Sequence, residues 1–363
     1  MRCRVCGRRI SGAAAGCPVD GPTTTSRILE AETPRIALAD YPSFPGYRVT
    51  RLLGRGGFGV VYAADPVTGG PAAAIKIART DRPDAARRLV AEIAALIAVG
   101  PPHVPAVFER GALADGTPFV AMEHVDAPTL ADRLLIQAGP MPLAEAIPLI
   151  LATLSALEAI HARSFVHRDL KPENVFIDGG LQAKIIDLGL VRARGGAAAD
   201  PEHTTEGAAL GTAEYMAPEQ CEGAIDVDAR ADLYTVGVVL YELLAGRPPF
   251  WGPSAAVQQS HRAKRPPRLS GQVPVPPVLE AIVTRCLAKD REERYESARA
   301  LGAALRAALV ECARDADRGM TPITISIPAR GTVPPGEPLP GPRLTAESSP
   351  PAAGRERRRV GIV

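Results

Sequence analysis

The sequence contains very little lysine. Only five of its 42 basic residues are lysines, namely Lys76, Lys171, Lys184, Lys264 and Lys289. Arginine is a poor substitute where a site needs a compact ammonium group, because the guanidinium group is planar and larger. In a chain so biased toward arginine, each lysine is a candidate for a specific role.

Long apolar runs and a strong net charge are also missing. No run reaches the roughly 18 apolar residues that a membrane span needs, and the first residues do not begin a signal peptide. The net charge of +2 is too small to draw nucleic acid or a membrane surface to the protein. We therefore expect a cytoplasmic protein with no nucleic-acid partner and no membrane span within this sequence.

Cysteine is sparse outside the N-terminus. Cys221, Cys286 and Cys312 stand far apart in apolar surroundings, so we expect buried free thiols rather than disulfides.

Composition divides the chain into four parts. Residues 1–20 are a small cysteine-bearing segment, 21–46 a polar linker with prolines, 47–308 a dense periodic region, and 309–363 a tail. Residues 321–352 include nine prolines and cannot bury enough apolar surface to offset the entropy lost on ordering. We expect the tail to be disordered.

Strands come first and helices follow in the dense region. Short β-type runs are predicted at 47–53, 60–64, 72–78 and 119–123. An amphipathic helix between them is indicated by apolar residues at helical spacing, namely Leu89, Ile93, Leu96 and Ile97.

The second half is predicted to be mainly helical. Longer helical patterns cover residues 143–161 and 231–245. The latter is apolar nearly all round and stops at Gly246, which indicates a buried central helix. A small strand-rich lobe before a larger helical lobe is an α+β, bilobal architecture.

A glycine-rich stretch joins the first two predicted strands. Residues 53–61, LGRGGFGVV, have the pattern G-x-G-x-x-G-x-V. A tight hairpin would also use glycines. A dinucleotide site is disfavoured because its glycines open a helix, whereas a second strand follows here. These glycines would let backbone amides approach phosphate oxygens.

Lys76 is a charge inside an apolar strand, Ala74-Ile75-Lys76-Ile77. It could be an edge-strand lysine, but in a partly desolvated cleft it would need an anionic partner. Glu92, just before Ile93 in the helical stripe, is the natural candidate, although it could instead face solvent.

Polar groups cluster in residues 166–177, VHRDLKPENVFI, between two apolar runs. Neither a helical nor a strand period fits this cluster, which favours a functional loop over a solvated turn.

Six motifs in order resemble those of bacterial, eukaryotic-like (Hanks-type) serine/threonine protein kinases. They run from Gly54 to the region of Arg294 and comprise the glycine loop, Ala-Ile-Lys76, Glu92, His167 to Asn174, Asp187-Leu188-Gly189 and Ala217-Pro218-Glu219. The resemblance implies the bilobal protein-kinase fold and transfer of the γ-phosphoryl group of Mg-ATP to protein hydroxyls. Leu188 stands where the family usually has phenylalanine, while the metal-binding aspartate is retained.

The resemblance also implies the role of each site residue. Asp169 would accept the proton of the attacking hydroxyl, Lys171 would neutralise the γ-phosphate, and Asn174 and Asp187 would hold Mg²⁺, which Mn²⁺ could replace. The predicted nucleotide-binding residues are Leu53, Gly54, Gly56, Gly57, Phe58, Gly59, Val61, Ala74, Lys76, Glu92, Met122, Glu123, Val125, Asn174 and Asp187. Among them, backbone groups of Glu123 and Val125 would bind the adenine edge, with Met122 behind.

Further roles follow from the same resemblance. Lys171 and the Gly211–Tyr215 segment match the serine/threonine-specific form of the family. Thr204 and Thr205 are candidate autophosphorylation sites whose phosphate would pair with Arg168. Asp232 is expected to bond the catalytic-loop backbone, and Arg294 to pair with Glu219.

Two other functions compete with protein phosphorylation. A pseudokinase scaffold would bind ATP without efficient transfer, but every residue expected to touch ATP or metal is present. A small-molecule kinase of related fold is disfavoured by residues 211–219, which resemble a protein-substrate platform.

The two ends raise separate questions. Cys3, Cys6, Cys17 and Asp20 resemble the two knuckles of a zinc ribbon with aspartate as fourth ligand, a set that zinc accepts. A metal-free remnant is the alternative. Residues 355–359 form a basic cluster before a short apolar end. It could precede a membrane segment, but we expect the basic end of a soluble kinase.

Overall fold

The structure is a computed structural model that describes residues 7–9, 41–188, 192–193 and 212–317. All of these residues belong to one compact unit, residues 1–324. Within it, a small lobe built on a β-sheet precedes a larger helical lobe, as the sequence predicts.

The small lobe is an antiparallel five-stranded sheet in the order β1-β2-β3-β5-β4. Its strands are β1 (Tyr47–Arg55), β2 (Gly59–Pro66), β3 (Ala73–Ala78), β4 (Val107–Ala112) and β5 (Pro118–Glu123). Strand β4 was not predicted, because nearly all of its residues are exposed and its apolar alternation is weak. The central strand β3 pairs Lys76 with Val61 on one side and with Val120 on the other.

Helix α1 (Ala85–Val99) packs on this sheet. Leu89, Ile93 and Leu96 are buried as predicted, and so is Glu92. We also included Ile97 in the apolar stripe, and that prediction is wrong because Ile97 is 51% exposed. The buried face of α1 is therefore narrower than the apolar pattern of the sequence.

The large lobe is built from seven helices within the described residues. They are α2 (Leu130–Gln137), α3 (Leu143–Ala162), α4 (Pro218–Cys221), α5 (Ala229–Ala245), α6 (Ser254–Ala263), α7 (Pro277–Cys286) and α8 (Ala298–Asp317). Short two-stranded pairs, β6 (Phe165–Val166) with β9 (Arg192–Ala193) and β7 (Val175–Ile177) with β8 (Ala183–Ile185), lie between α3 and α4 in the chain.

Helix α5 is the buried centre of the large lobe, as predicted. Every residue from Ala231 to Ala245 is buried, and Gly246 ends the helix in the left-handed conformation that glycine adopts without strain. Helix α3 packs against α5 and α8. By length and composition α3 is apolar enough to cross a membrane, but half of it is buried inside the domain.

The domain is longer at both ends than predicted. Phe44, assigned to the linker, is 3% exposed and stacks edge-on against Phe119 with ring centroids 5.4 Å apart. Helix α8 continues to Asp317, so the predicted start of the tail at residue 309 is wrong. Leu305 and Ala308 near this boundary are fully buried, which explains why the helix continues past 308.

Cys221, Cys286 and Cys312 are thiols and not disulfides. Cys286 is fully buried, as expected. Cys221 and Cys312 are only half-buried, so the prediction that all three thiols are buried is wrong for these two. Burial raises the pKa of Cys286 and of Cys221 to about 12, so both thiols are protonated at neutral pH.

Candidate active site

The glycine-rich stretch forms the β1–β2 hairpin. The N–H of Gly56 donates to the carbonyl of Gly59 at 2.8 Å and closes the turn. A Cβ at Gly59 would lie 3.1 Å from the carbonyl oxygen of Ile77 and 3.2 Å from Cε of Lys76. Any side chain at this position would force the lysine or the backbone of β3 to shift by a few tenths of an ångström.

Lys76 joins the two lobes through a pair of carboxylates. Its Nζ lies 2.8 Å from both carboxylate oxygens of Glu92 and 2.6 Å from Oδ1 of Asp187. Burial lowers the pKa of Lys76, but the two carboxylates outweigh burial and hold the pKa above its usual value. Lys76 is therefore charged, and the predicted pairing with Glu92 is confirmed.

The catalytic loop brings Asp169, Lys171 and Asn174 together. Lys171 Nζ lies 3.0 Å from a carboxylate oxygen of Asp169, and the amide of Asn174 donates to the backbone carbonyl of Asp169 at 3.0 Å. Burial lowers the pKa of Lys171, but Asp169 and Asp187 raise it to a net value above normal. The carboxylate of Asp169, the predicted proton acceptor, thus lies beside the charged ammonium group of Lys171.

Two buried polar residues orient this loop. The carboxylate of Asp232 accepts the backbone N–H groups of His167 and Arg168, each at 2.9 Å, and binds Nε2 of His161 at 2.8 Å. His167 in turn bridges the N–H of Asp169 at 3.3 Å and the carbonyl of Ile186 at 3.1 Å. The expected role of Asp232 is confirmed.

The predicted adenine pocket lies at the end of the sheet. Ala74 and Met122 are buried in the same apolar cluster as Leu170, and Leu53 and Val61 pack against that cluster. Apolar side chains of the sheet lobe and of the helical lobe therefore belong to one continuous cluster.

A backbone hydrogen bond limits which groups of residues 122–125, the predicted hinge, can contact adenine. The N–H of Glu123 donates to the carbonyl of Ala106 at 2.8 Å. Of the two backbone groups of Glu123, the carbonyl is therefore the one suited to the adenine edge. Val125 is half-buried beyond it.

The site suits a magnesium ion held jointly with phosphates. The pKa of Asp187 lies below its usual value, mainly because of the Lys76 ammonium, so the carboxylate is ionised at neutral pH. The described residues contain no group of three His, Cys, Asp or Glu side chains that would hold a metal alone. Magnesium needs no such cage, since one or two protein oxygens together with nucleotide phosphates are its usual ligands. Asp187 and the buried amide of Asn174 provide such oxygens.

A second predicted ion pair supports the Ala217-Pro218-Glu219 segment. Both terminal nitrogens of Arg294 lie 2.8 Å from the carboxylate oxygens of Glu219. Arg294 also donates to the carbonyls of Ala288, Lys289 and Arg230. The pair is fully formed and structural, as expected.

Sequence reasoning missed several polar contacts near the site. Lys184 in β8 binds both carboxylate oxygens of Glu123 at 2.6 and 2.7 Å, so it fixes the hinge. Glu242 in the buried helix α5 contacts Tyr215 and Arg9. A charged residue inside an apolar pattern was the available signal in both cases.

Other predicted residues lie outside the described parts of the chain. These are Thr204, Thr205, Gly189 and Gly211, and the zinc candidates Cys3, Cys6, Cys17 and Asp20. Arg168 is described, and its guanidinium donates to the carbonyl of Val227 at 2.8 Å.

Together, the bilobal fold and this cluster define a phosphotransferase that binds a nucleotide in the cleft. The protein kinase domain family matches residues 47–304. The chain belongs to the protein kinase family, and its domain is of the serine/threonine type.

Relatives from several bacteria support this assignment. The chain is 35% identical over 358 residues to serine/threonine-protein kinase Pkn1 of Myxococcus xanthus, covering 93% of this chain and 50% of that protein. It is 36% identical over 261 residues to serine/threonine-protein kinase PknB of Mycobacterium leprae, covering 69% and 41%. The chain therefore spans half or less of the length of these relatives.

A solved structure shows the same fold. The PknI kinase domain of Mycobacterium tuberculosis superposes with a TM-score of 0.57 at 28% identity, covering 75% of this chain and 99% of that one.

Proposed function

We propose that this chain transfers the γ-phosphoryl group of ATP to serine and threonine hydroxyls of protein substrates. The observation that carries the proposal is the Lys76 ammonium held between Glu92 and Asp187 at 2.6 to 2.8 Å. This contact supports the proposal, because it joins the Lys76 ammonium of the sheet lobe to the Asp187 carboxylate of the helical lobe, which we propose as a metal ligand.

ATP would bind with its adenine at the hinge and its phosphates under the β1–β2 hairpin. Lys76 would pair with phosphate oxygens, and Asp187 and Asn174 would hold Mg²⁺. When bound, the ion neutralises phosphate charge as the phosphoryl group leaves the nucleotide.

The catalytic loop supplies the remaining steps. Asp169 would orient the acceptor hydroxyl and accept its proton as the phosphoryl group is transferred. Lys171, 3.0 Å from Asp169, would offset negative charge on the transferring group. Phosphoryl transfer depends mainly on such positioning and charge neutralisation, which this arrangement provides.

Serine and threonine are the favoured acceptors. Lys171 two residues after the catalytic aspartate is the serine/threonine form of the loop, and the curated relatives carry that name. No specific observation favours a pseudokinase role. Lys76 contacts Glu92 and Asp187, and Lys171 contacts Asp169, so the charged residues expected for phosphoryl transfer are all present in the cleft.

Asp169→Asn tests this function directly. We expect kcat to fall by about 10²- to 10⁴-fold, the usual contribution of a general base, while the KM for ATP stays near that of the wild type. Radiolabel transfer to a generic protein substrate measures both constants. Asp178→Asn, in the exposed β7–β8 turn, is the matched control and should keep full activity. Equal signal from Asp169→Asn and the wild type would refute the role of Asp169.

Autophosphorylation is proposed as the activating step. Thr204 and Thr205 follow Asp187 in the sequence and precede Ala217, and a phosphate there could pair with Arg168. Phosphopeptide mapping of active enzyme should find one of the two threonines modified, and the double alanine variant should be less active. A fully active enzyme with an unmodified loop would contradict this switch.

The substrates, partners and cellular location of the whole protein are also proposals. Because the chain spans about half or less of the length of the curated relatives it matches, substrates and partners of the whole protein are inferred only from the kinase domain. We propose a cytoplasmic location for that domain, on the net charge and apolar pattern of the sequence. Zinc at Cys3, Cys6, Cys17 and Asp20 stays a prediction from their spacing.

A further inference from the structure

Four basic side chains lie close together in the chain at and just after the end of helix α6. The seven residues RAKRPPR, 262–268, include Arg262, Lys264, Arg265 and Arg268, and all four are exposed. No carboxylate of the described residues forms an ion pair with them, in contrast with the lysines of the cleft. The side-chain partner of Arg262 is neutral, the amide oxygen of Gln259 at 2.8 Å. We call these four residues the basic strip.

The backbone of the basic strip is extended. Lys264 has φ of −93° and ψ of 138°, and Arg268 has φ of −63° and ψ of 135°. Between them, Pro266 and Pro267 have a fixed φ, and each proline also favours an extended conformation in the residue before it. At roughly 3.1 Å per residue, residues 264–268 form a run about 12 Å long. The charged side chains therefore project from a backbone of restricted conformation.

Both ends of this run are anchored. At the first end, the N–H of Lys264 donates to the carbonyl of Ser260 in α6 at 2.9 Å. At the other end Leu269 is buried, and the carboxylate of Glu280 accepts the N–H groups of Leu269 and Ser270 at 2.9 and 2.8 Å. A ligand that binds the basic strip would therefore lose little affinity to ordering of the backbone.

The basic strip adjoins the segment that resembles a protein-substrate platform, residues 211–219. His261, the residue before Arg262, has its Nε2 3.0 Å from the carbonyl of Glu214. Helix α6 also packs against α4, which begins at Pro218. The strip thus begins at the edge of the surface proposed to receive the acceptor residue.

The end of helix α6 does not account for the strip. Basic side chains interact favourably with the partial negative charge at a helix C-terminus, but this effect is confined to the last turn. Arg262 lies in that turn, whereas Lys264, Arg265 and Arg268 lie beyond Ala263, the last residue of α6. Because the screening length is about 8 Å at physiological salt, neighbouring charges of the strip repel one another. An anionic ligand would offset this repulsion.

We propose that the basic strip is a docking site for a carboxylate-rich segment of the protein substrate. The inference rests on the proposed kinase activity, and it specifies the substrate class as proteins with a run of aspartate or glutamate near the acceptor serine or threonine. The guanidinium groups of the strip match carboxylates, because each can donate two parallel hydrogen bonds.

A protein segment fits the strip better than a membrane surface does. Stable binding at a membrane interface needs buried apolar area in addition to charge. Among the described residues, none of the large exposed apolar side chains lies between residues 254 and 280. The strip therefore offers charge without an apolar anchor.

Two acceptor peptides test the docking site. Both carry the same serine acceptor, joined by a Gly-Ser linker of ten residues to a short tail. The tail is Glu-Glu-Asp-Glu in the acidic peptide and Gln-Gln-Asn-Gln in the neutral peptide. Such a linker spans roughly 18 Å on average. Each peptide is made with the tail before and after the acceptor, so that the result does not depend on chain direction.

Two triple variants of the full chain are compared with the wild type. The strip variant carries Lys264→Gln, Arg265→Gln and Arg268→Gln, which remove three exposed charges and leave α6 intact. The control variant carries Arg51→Gln, Arg163→Gln and Arg306→Gln. These three arginines are also exposed and have no ion pair within the described residues, but they are scattered along the chain. Both variants change the net charge equally.

The strip should lower the KM of the acidic peptide alone. With the wild type we expect this KM to be about tenfold below that of the neutral peptide, because several exposed ion pairs act together, while kcat is similar for both. The strip variant should lose the preference by raising the KM of the acidic peptide. The control variant should keep the preference.

Binding without ATP gives a readout that does not depend on catalysis. Anisotropy of the labelled acidic tail, without an acceptor, should show binding to the wild type and the control variant and about tenfold weaker binding to the strip variant. Raising the salt from about 0.15 M to about 1 M shortens the screening length from about 8 to about 3 Å. It should remove most of the binding to the wild type.

The outcomes separate the docking site from the kinase activity. If neither peptide is phosphorylated but the acidic tail binds through the strip, the kinase proposal fails and the docking site stands. If both peptides are phosphorylated with the same KM by the wild type and the strip variant, the docking site is refuted and the kinase activity stands. Strip-dependent binding to phosphatidylserine vesicles, without a preference between the two tails, would refute a protein partner in favour of a membrane surface.

Discussion

At the scale of single residues, scarce lysines mark the functional cleft. Lys76, Lys171 and Lys184 all contact carboxylates, of Glu92 and Asp187, of Asp169, and of Glu123 respectively. Lys76 and Lys171 could be assigned a role from the sequence, because each lies in a recognisable motif. Lys184 lies in a short apolar strand and in no recognisable motif. Its contact with Glu123 is seen only in the tertiary structure.

The backbone at two site residues is strained. Arg168 and Asp187 have φ values of 67° and 63°, in the left-handed region that costs roughly 1 kcal/mol or more for residues other than glycine. The carboxylate of Asp232 holds Arg168 there by accepting its N–H at 2.9 Å. This strain is maintained by the surrounding structure and not by local preference.

Asp232→Asn should therefore weaken both the fold and the activity. An asparagine has one acceptor oxygen where two N–H groups and His161 now bind, and hydrogen bonds to charged groups contribute about 1.5–3 kcal/mol each. We expect the free energy of unfolding to fall by about 2–3 kcal/mol and kcat to fall, with the KM for ATP little changed. Denaturant unfolding and peptide kinetics measure these quantities.

Asp228→Asn is the matched control for that prediction. Asp228 caps the same helix by accepting the N–H of Arg230 at 2.8 Å, and asparagine caps a helix about as well. An unfolding free energy equal to the wild type in both variants would show that Asp232 does not hold the loop.

At the scale of elements, α5 connects the catalytic loop with the substrate side of the cleft. Its polar residues Asp232, Thr235 and Glu242 are spaced by 3 and 7 residues, which places them on one face of a helix. Asp232 binds the catalytic loop, Thr235 donates to the carbonyl of Tyr215 at 2.8 Å, and Glu242 contacts the Tyr215 hydroxyl. We predicted α5 as apolar nearly all round, so this narrow polar stripe was missed.

Helix α6 meets the same segment through a buried histidine. Nδ1 of His261 lies 2.8 Å from the Tyr234 hydroxyl, and Nε2 lies 3.0 Å from the carbonyl of Glu214. Burial lowers the pKa of His261 to about 4 from 6.5, and the nearby Lys289 acts in the same direction. The folded protein therefore keeps this ring neutral where the unfolded chain would protonate it.

This histidine should make stability depend on pH. Because the folded pKa is the lower one, the stabilisation is complete above about pH 6.5 and is lost as the pH falls toward 4. The loss attributable to His261 is at most about 3 kcal/mol. Thermal unfolding of wild type and His261→Gln at several pH values tests it, since the variant should lose less stability over this range. Parallel pH profiles would rule out this contribution.

At the scale of the whole molecule, the side chains proposed to bind the nucleotide come from both lobes. Lys76 and Glu92 come from the sheet lobe, whereas Asp187 comes from the helical lobe. A ligand that contacts both lobes should stabilise the folded chain, because it binds the native state and not the unfolded one.

Mg-ATP should therefore raise the unfolding temperature. At a concentration a hundredfold above Kd we expect about 2.7 kcal/mol of stabilisation, or several degrees. Chelating Mg²⁺ with EDTA should remove most of the effect, and Asp187→Asn should show little of it. A shift as large in Asp187→Asn as in the wild type would contradict the metal role of Asp187. Differential scanning fluorimetry measures the unfolding temperature, and the sample with Mg²⁺ but no ATP is the reference.

The domain boundaries show the limits of composition as a guide. Phe44 lies in a polar, proline-containing stretch, yet it is buried against Phe119. Residues 309–317 continue α8, although we assigned them to the tail. Local composition averages over many residues, so it does not register a single aromatic anchor or the last turns of a helix.

The sequence by itself determined the lobe order and the buried helix α5, because both follow from local periodicity. It indicated Glu92 as the partner of Lys76, whereas the roles predicted for Asp169, Asn174 and Asp187 depend on the resemblance of its motifs to those of protein kinases. Only the tertiary structure decided that Lys184 binds Glu123, and that Arg9 binds Glu173, which lies 164 residues away in sequence. Such contacts depend on how distant segments pack, and no local pattern encodes the distance between them.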